Sequence, residues 1–453
     1  MGTPLRRGAR FLVVSALAAC LATSGCALQL PGPMPEPAPV SSATTPVLPA
    51  DPATPSFSPT PTSADVPLPD PTVLAAALAK VPTKNLGVTG VFVTDVAGAQ
   101  LYARSDKPLQ PASTMKILTA MTVVDAIGAD TTFQTRVVEV SPGTIALVGG
   151  GDPFLTSAHS SSGLKPASLE DLAKATAAAL NGRKSVKLVY DASLFSGSGW
   201  GANWRPSWKT SMPRVGALTV DGGMLTKWVP APNPAKAAAD EFVKRLATAK
   251  VTVTSVSAGR APAGGKLLAS VTSASVSTMI VWTLRHSYNL GAEVLARHAG
   301  IAMSGSGSFD GGSAAIRSWL KGHGVWVANT VIDGGSGLSL TARVSPGMLA
   351  QTLGRALADE QRYESVLRGL PVAGVSGSLK GRFKDKSEAA GRNVVHAKTG
   401  SLNNVSTLAG YVTDKDGATL VFAAMANKTN GHDVAAHTWL DRTATVLATC
   451  GCR

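Results

Sequence analysis

Charge is scarce in this chain: Asp, Glu, Lys and Arg make up 15% of its 453 residues, against roughly 25% in an average soluble protein. Aromatics are few as well, at 5%, but 44% of the residues are hydrophobic, ample material for a core, which excludes disorder throughout. Long apolar runs are absent beyond the N-terminus. With no stretch near the ~20 residues that a span requires, a polytopic membrane protein is excluded. There are four cysteines, at 20, 26, 450 and 452. The last two lack neighbouring His or Cys ligands and make a poor zinc site, so a small structural bridge in the tail is expected rather than a metal centre. No run of Lys and Arg interleaved with aromatics occurs, which argues against nucleic acid as a partner.

What the chain does have is a positive balance of +14, suited to attracting polyanions such as anionic lipid or acidic wall polymer. Arg6, Arg7 and Arg10 precede an apolar run, Phe11 to Ala22, and then small residues to Cys26, the order of a secretory signal. Two readings of its end stay open. Ser24-Gly25-Cys26 ends like a lipobox, with Thr23 where Leu is usual and Cys26 as the acylated residue and membrane tether; the other is ordinary cleavage after Ala27. Either way the protein works outside the cytoplasm. From Pro31 to Pro71 the chain holds 14 of its 29 prolines, the composition of an extended, solvated spacer. Folded sequence is expected from Thr72.

Helical composition over Val73–Ala79 is followed by Val88 to Tyr102, two strands around the turn Asp95–Gly98. Ser113-Thr114-Met115-Lys116 then opens an apolar helix with Ile117, Ala120, Met121, Val124 and Ile127 at helical spacing and Gly128 as its stop. Residues three apart share a helical face, so the Lys116 amine reaches the Ser113 hydroxyl. A serine needs an adjacent base to become a nucleophile, and a lysine serves only if burial or a second cation lowers its pKa. Ser-x-x-Lys alone is weak, but two further motifs follow. Ser287-Tyr288-Asn289 opens a helical segment through Arg297, and Lys398-Thr399-Gly400 closes the strand-like run from Val394, with further strands at Val405–Thr413 and Thr419–Ala424. The order Ser-x-x-Lys, Ser-x-Asn, Lys-Thr-Gly matches penicillin-binding proteins and serine β-lactamases.

The phrases Leu109–Lys116, Gly149-Gly150-Gly151-Asp152-Pro153, Asp333–Ser339, Leu370–Gly374 and His396–Leu402 resemble the D-alanyl-D-alanine carboxypeptidase/endopeptidase family, the S13 peptidases or class C low-molecular-mass penicillin-binding proteins. The resemblance covers nearly everything from Thr72 onward. It implies an α/β (α+β) transpeptidase fold like that of serine β-lactamases, an antiparallel sheet flanked by helices, with an inserted second domain. Spacing supports the insertion independently, since Ser113 and Ser287 stand 174 residues apart, far more than one crossover needs. The expected division is a signal over 1–26, a linker over 27–71, a catalytic domain over 72–132 plus 270–453, and one inserted domain over 133–269. The insert should contain a strand at Lys187–Tyr190, a helix at Ala235–Ala247, and Trp200, Trp204 and Trp208, read as packing residues between domains.

The implied activity is a serine carboxypeptidase or endopeptidase acting on peptidoglycan stem peptides that end in D-Ala-D-Ala, inhibited covalently by β-lactams and using no metal or other cofactor. Ser113 would attack the carbonyl and Lys116 take its proton. Ser287, hydrogen-bonded near both lysines, would relay a proton to the leaving amine. Asn289 would orient Lys116 and the substrate, while Lys398 with Thr399 would hold the terminal carboxylate. Gly400 would let the substrate backbone approach, and the N–H groups of Ser113 and Ser401 would form the oxyanion hole.

Neighbouring residues read more plainly. Ser401-Leu402-Asn403 lies too close to Lys398 to be a separate wall of a cleft; His396 lines the strand face, Asp152 is a turn residue and Asp333 a loop organiser. A class A β-lactamase needs a glutamate between the second and third motifs. Glu293 falls within the helix, and Glu360 and Glu364 stand without the expected Asn partner, so efficient penicillin hydrolysis is not expected. The alternatives are a non-catalytic wall-binding or β-lactam-sensing module, or a weak β-lactamase.

Overall fold

A computed structural model describes residues 66–160, 164–210 and 212–451. The expected export signal, Cys26, nearly all of the spacer and Cys452 lie outside the described residues. Cys450 is disulfide-bonded. No helix among the described residues is long and apolar enough to cross a membrane.

The first helix, α1 (Pro71–Ala79), starts where Asp70 accepts from the N–H groups of Thr72 and Val73, with Pro71 at a position that needs no donor. Next, β1 (Val88–Thr94) and β2 (Gln100–Ala103) form the expected hairpin, its turn closed by Gly98 at a φ of 90°. A 3-10 turn over Ala112–Thr114 runs into α2 (Met115–Ile127), largely apolar and buried on every side from Met115 to Val124, and Gly128 stops it at a φ of 83°.

The middle of the chain supplies β3 (Gln134–Ser141), β4 (Thr144–Val148), α3 (Leu169–Ala179), β5 (Ser185–Asp191), β6 (Met224–Thr226), β7 (Val229–Pro230), α4 (Pro234–Thr248), β8 (Thr252–Ala258) and β9 (Lys266–Thr272). The remainder supplies α5 (Val276–Arg285), α6 (Asn289–Ser304), α7 (Phe309–Gly322), α8 (Pro346–Ala358), α9 (Glu360–Gly369), β10 (Val395–Leu402), β11 (Val405–Thr413), β12 (Thr419–Asn427) and α10 (Asp433–Thr449).

Two five-stranded sheets result. The first, ordered β10-β11-β12-β1-β2, is antiparallel throughout, and β1 from the front of the chain pairs with β12 from its end, Val91 opposite Ala424. Both of its faces are covered. On β12, Val421, Ala423 and Met425 face the core shared with α2, α5, α8 and α9, whereas Leu420, Phe422, Ala424 and Ala426 face α1 and α10. That alternation makes three layers.

The second sheet, ordered β8-β5-β4-β3-β9, is mixed: β4, β5 and β8 run parallel, and β3 is antiparallel to both its neighbours. It has a core of its own with α3 and α4, centred on Ile145, Leu147, Leu172 and Phe242. The chain leaves and returns at one spot. Ala129, Thr131 and Phe133 accept through their carbonyls from the N–H groups of Ser277, Val276 and Ser273 at 2.7, 2.8 and 2.9 Å. Between this sheet and the helices, Trp204 is buried edge-on to Trp200 and to Phe309 of α7, with ring centroids 5.1 and 5.4 Å apart, and packs with Leu290 and Val294 of α6.

Candidate active site

Ser113 is the one residue from Pro111 to Val124 that keeps partial exposure. The turn that carries it is strained and clamped. Ala112 holds a φ of 47°, a left-handed value that costs a residue with a Cβ about 1 kcal/mol or more. Thr114 and Thr407 both donate side-chain hydrogen bonds to Pro111 O, at 2.7 and 2.8 Å. A Cβ on Gly337 would stand 1.8 Å from Ala112 O, and one on Gly400 would stand 2.2 Å from Thr407 Oγ1 and 2.9 Å from Ser113 N. Gly400 therefore has a structural reason of its own, beside the expected approach of substrate. Its missing side chain makes room for the turn bearing Ser113, whatever it also permits to a substrate.

The Lys116 Nζ lies 2.9 Å from Ser113 Oγ and donates to Asn289 Oδ1 and to the Ser336 carbonyl, each at 2.7 Å. Burial first, and then the neighbouring Lys398, hold its pKa well below that of an ordinary lysine, with Glu293 pulling the other way. A neutral amine has two N–H donors and one lone pair. Two of the three contacts are obligate acceptors, which uses both donors and leaves the lone pair for the Ser113 hydroxyl.

Lys398 is fully buried on β10, donates to Thr399 O at 2.8 Å, and is brought down to about 7 by burial. Thr399 Oγ1 shares a 2.6 Å hydrogen bond with Ser378 Oγ. Ser401 stands exposed, 3.3 Å from His437 Nε2. His396 stacks on Tyr411 with centroids 4.9 Å apart, and burial lowers it to about 4, which makes it a neutral lining group. Asn403 is exposed in the hairpin beyond β10.

Ser287 departs from expectation. Its backbone turns left-handed at a φ of 57° between α5 and α6, and its hydroxyl makes no hydrogen bond among the described residues. Asn289, at the first turn of α6, takes the contact with Lys116 instead. Tyr288, between them, donates to Pro153 O at 3.2 Å. Asp152 accepts from Phe154 N at 2.8 Å, as a turn residue should; its other oxygen is buried without a partner among the described residues, and burial pushes the carboxyl up to about 7. Asp333 organises its loop by accepting from Asn203 Nδ2, Ser339 Oγ and Thr341 Oγ1.

Sequence reading missed the loop Asp333–Gly337 as part of the site. Its Ser336 carbonyl meets Lys116, and its N–H groups at 335 and 336 bond to the buried Glu293 carboxylate. A backbone carbonyl carries no side-chain signature. The available signal was Glu293 itself, one helical turn beyond Asn289 and a lone carboxylate amid apolar neighbours.

Comparison with known proteins gives this geometry a lineage. The D-Ala-D-Ala carboxypeptidase 3 (S13) family pattern matches residues 72–231 and 214–447. A carboxypeptidase of Mycobacterium tuberculosis is 32% identical over 443 residues, covering 94% of this chain and 91% of that one. A D-alanyl-D-alanine carboxypeptidase of an Actinomadura species is 29% identical, covering 78% and 80%. Penicillin-binding protein 4 from Haemophilus influenzae superposes with a TM-score of 0.68 at 22% identity, covering 82% of this chain and 97% of that one, which shows the shared fold. Since the matches run almost from the start of α1 to the end of α10, the chain belongs to the D-Ala-D-Ala carboxypeptidase 3 (S13) family.

Proposed function

We propose that the protein is a serine D-Ala-D-Ala carboxypeptidase/endopeptidase of peptidoglycan stem peptides, working through an acyl-enzyme on Ser113. The observation that carries this reading is the hydrogen-bond set of Lys116, which spends both N–H donors on Asn289 and Ser336 and leaves a lone pair 2.9 Å from the Ser113 hydroxyl. As Ser113 Oγ attacks the carbonyl carbon between the two D-alanines, its proton passes to Lys116 Nζ. The oxyanion that forms is received by the N–H groups of Ser113 and Ser401. Ser113 lies at the N-terminal end of a helix, and Ser401 lies on the same edge of β10 as Ala397, past the point where Pro371 covers that edge.

Collapse breaks the C–N bond, and the leaving amine takes its proton from Lys116; Ser287 is proposed as the relay from its place in the second motif, since its hydroxyl makes no hydrogen bond to Lys116 among the described residues. Water then attacks the ester, gives a proton back to Lys116, and Ser113 is released with its own proton restored. Lys398 and Thr399 hold the substrate's terminal carboxylate. That anion replaces lost solvation and so favours the charged form of Lys398 when substrate is bound.

β-Lactams present a strained amide to the same hydroxyl and form a stable ester. The catalytic head is assigned to 72–132 plus 270–453 and the inserted domain to 133–269, a division supported by the separate core around Phe242 and the paired strands at its root. Work outside the cytoplasm, with export by 1–26 and spacing by 27–71, is supported by the sequence of those segments.

The test is mass spectrometry of the protein after incubation with benzylpenicillin, alongside D-alanine release from a synthetic pentapeptide. A single adduct on Ser113 is expected, and Ser113→Ala should lose both the adduct and release by at least about a thousandfold. Undiminished release by Ser113→Ala would overturn the mechanism.

A further inference from the structure

Glu293 is 1% exposed, sits on α6 four residues beyond Asn289, and spends its two oxygens on one peptide segment. Oε1 accepts from Ser336 N at 2.8 Å and Oε2 from Gly335 N at 3.0 Å. The same segment is gripped from the other side by α2, where Thr119 Oγ1 donates to Gly335 O at 2.7 Å and Lys116 Nζ donates to Ser336 O at 2.7 Å. Gly334 N donates to Ser313 Oγ of α7 at 2.8 Å. The absence of side chains lets the loop approach α6 this closely: a Cβ on Gly334 would lie 2.9 Å from Glu293 Oε1, and one on Gly335 would lie 2.6 Å from Ala296 Cβ.

We propose that Glu293 is a positioning residue for proton abstraction: its carboxylate fixes the Gly335–Ser336 peptide, so that the Ser336 carbonyl takes one N–H of Lys116 and the lone pair is turned to Ser113. The inference rests on the reading of Lys116 as the base. Helix α6 thus orients Lys116 twice, directly through Asn289 and indirectly through the loop, and the two acceptors stay in register because they hang from one rigid element.

The carboxylate has an electrostatic side as well. Lys116 is faced by Lys398 from β10 and by Glu293 from α6. Arg297, one turn further along α6, feels the Glu293 charge while directing its Nη1 to the carbonyls of Ser196 and Gly307, and Asp333 of the loop is taken up by Asn203, Ser339 and Thr341. Glu293 is therefore the negative charge that opposes burial and Lys398 in setting the proton affinity of Lys116. The neutral amine is the base, so activity rises as pH climbs through the Lys116 pKa. Removing the carboxylate charge lowers that pKa and moves the acid limb of the profile to lower pH.

The experiment is the pH profile of D-alanine release, with kcat and KM separated, for the full chain, Glu293→Gln, Glu293→Asp and Lys116→Ala. Glu293→Gln should lose kcat about tenfold or more, with KM within about twofold and the acid limb shifted to lower pH. Glu293→Asp keeps the charge but withdraws it by one methylene; it should keep the limb and lose kcat, and it carries the test if the glutamine variant does not fold. An unmoved limb in a folded Glu293→Gln protein, or wild-type kcat in Glu293→Asp, would overturn the proposal while inactive Lys116→Ala upholds the base. Release by Lys116→Ala at the wild-type rate would overturn the base and the proposal with it.

Discussion

Ser287 holds a φ of 57°, a left-handed backbone that costs a residue with a Cβ about 1 kcal/mol, and its hydroxyl makes no hydrogen bond among the described residues to offset that cost. Glycine adopts this conformation freely, so Ser287→Gly is expected to raise unfolding stability by up to about 1 kcal/mol while D-alanine release falls by about a hundredfold or more. Urea unfolding and turnover on one preparation check both halves, and a variant both weaker in stability and fully active would contradict the assignment. At this scale the pairing of Ser113 with Lys116 was legible, because three-residue spacing on a helix is a rule of geometry. The Lys116 contact with Asn289 was legible only through the motif. Ser336 was not legible at all: it acts through its backbone carbonyl, which any residue would supply.

The Asp152-Pro153 turn against Tyr288 is one of several contacts that join the mixed sheet's side to α6. Asp152 is 4% exposed, with one oxygen unpartnered among the described residues, and burial raises its carboxyl to about 7. Between the ordinary carboxyl range near 4 and about 7, the unfolded chain releases this proton and the folded chain keeps it. Stability therefore falls as pH rises through that window and levels off above it. Asp152→Asn cannot ionise, so its stability relative to the parent should improve from pH 4.5 to pH 7.5, by a few kcal/mol at most. Equal differences at both pH values would rule out a protonated Asp152. Among the elements, β10, β11 and β12 were legible as β-branched and apolar runs of strand length, β11 and β12 separated by the turn at Asp414–Gly417. The mixed sheet was legible only at β5. Its edge strand β8, Thr-Val-Thr-Ser-Val-Ser-Ala, is exposed along nearly its whole length, so burial imposes no pattern on it, and parallel pairing to β5 depends on residues far away in sequence.

Across the whole molecule, three histidines, His298, His396 and His437, are each brought to about 4, chiefly by burial. Unfolding lets each return toward its ordinary 6.5, so the unfolded state gains protons between those values, and stability is lost as pH falls from 6.5 to 4. That loss opposes the Asp152 contribution and outnumbers it. The thermal midpoint should decline on acidification through this range, and a flat profile from pH 6.5 to 4.5 would contradict the buried, neutral assignment. Fold class was legible at this scale because motifs nearly three hundred residues apart must converge on one cleft, whereas the architecture of the long middle stretch was set by contacts that no motif announces. One feature of that stretch reaches furthest. The backbone departs and rejoins through carbonyls 129, 131 and 133 and amides 277, 276 and 273, like a branch line whose two rails leave the trunk at the same switch. Whatever length evolution or an engineer grafts beyond that switch, closure adds only a slowly growing entropy, and the spacing of α2 and α5 on the trunk need not change.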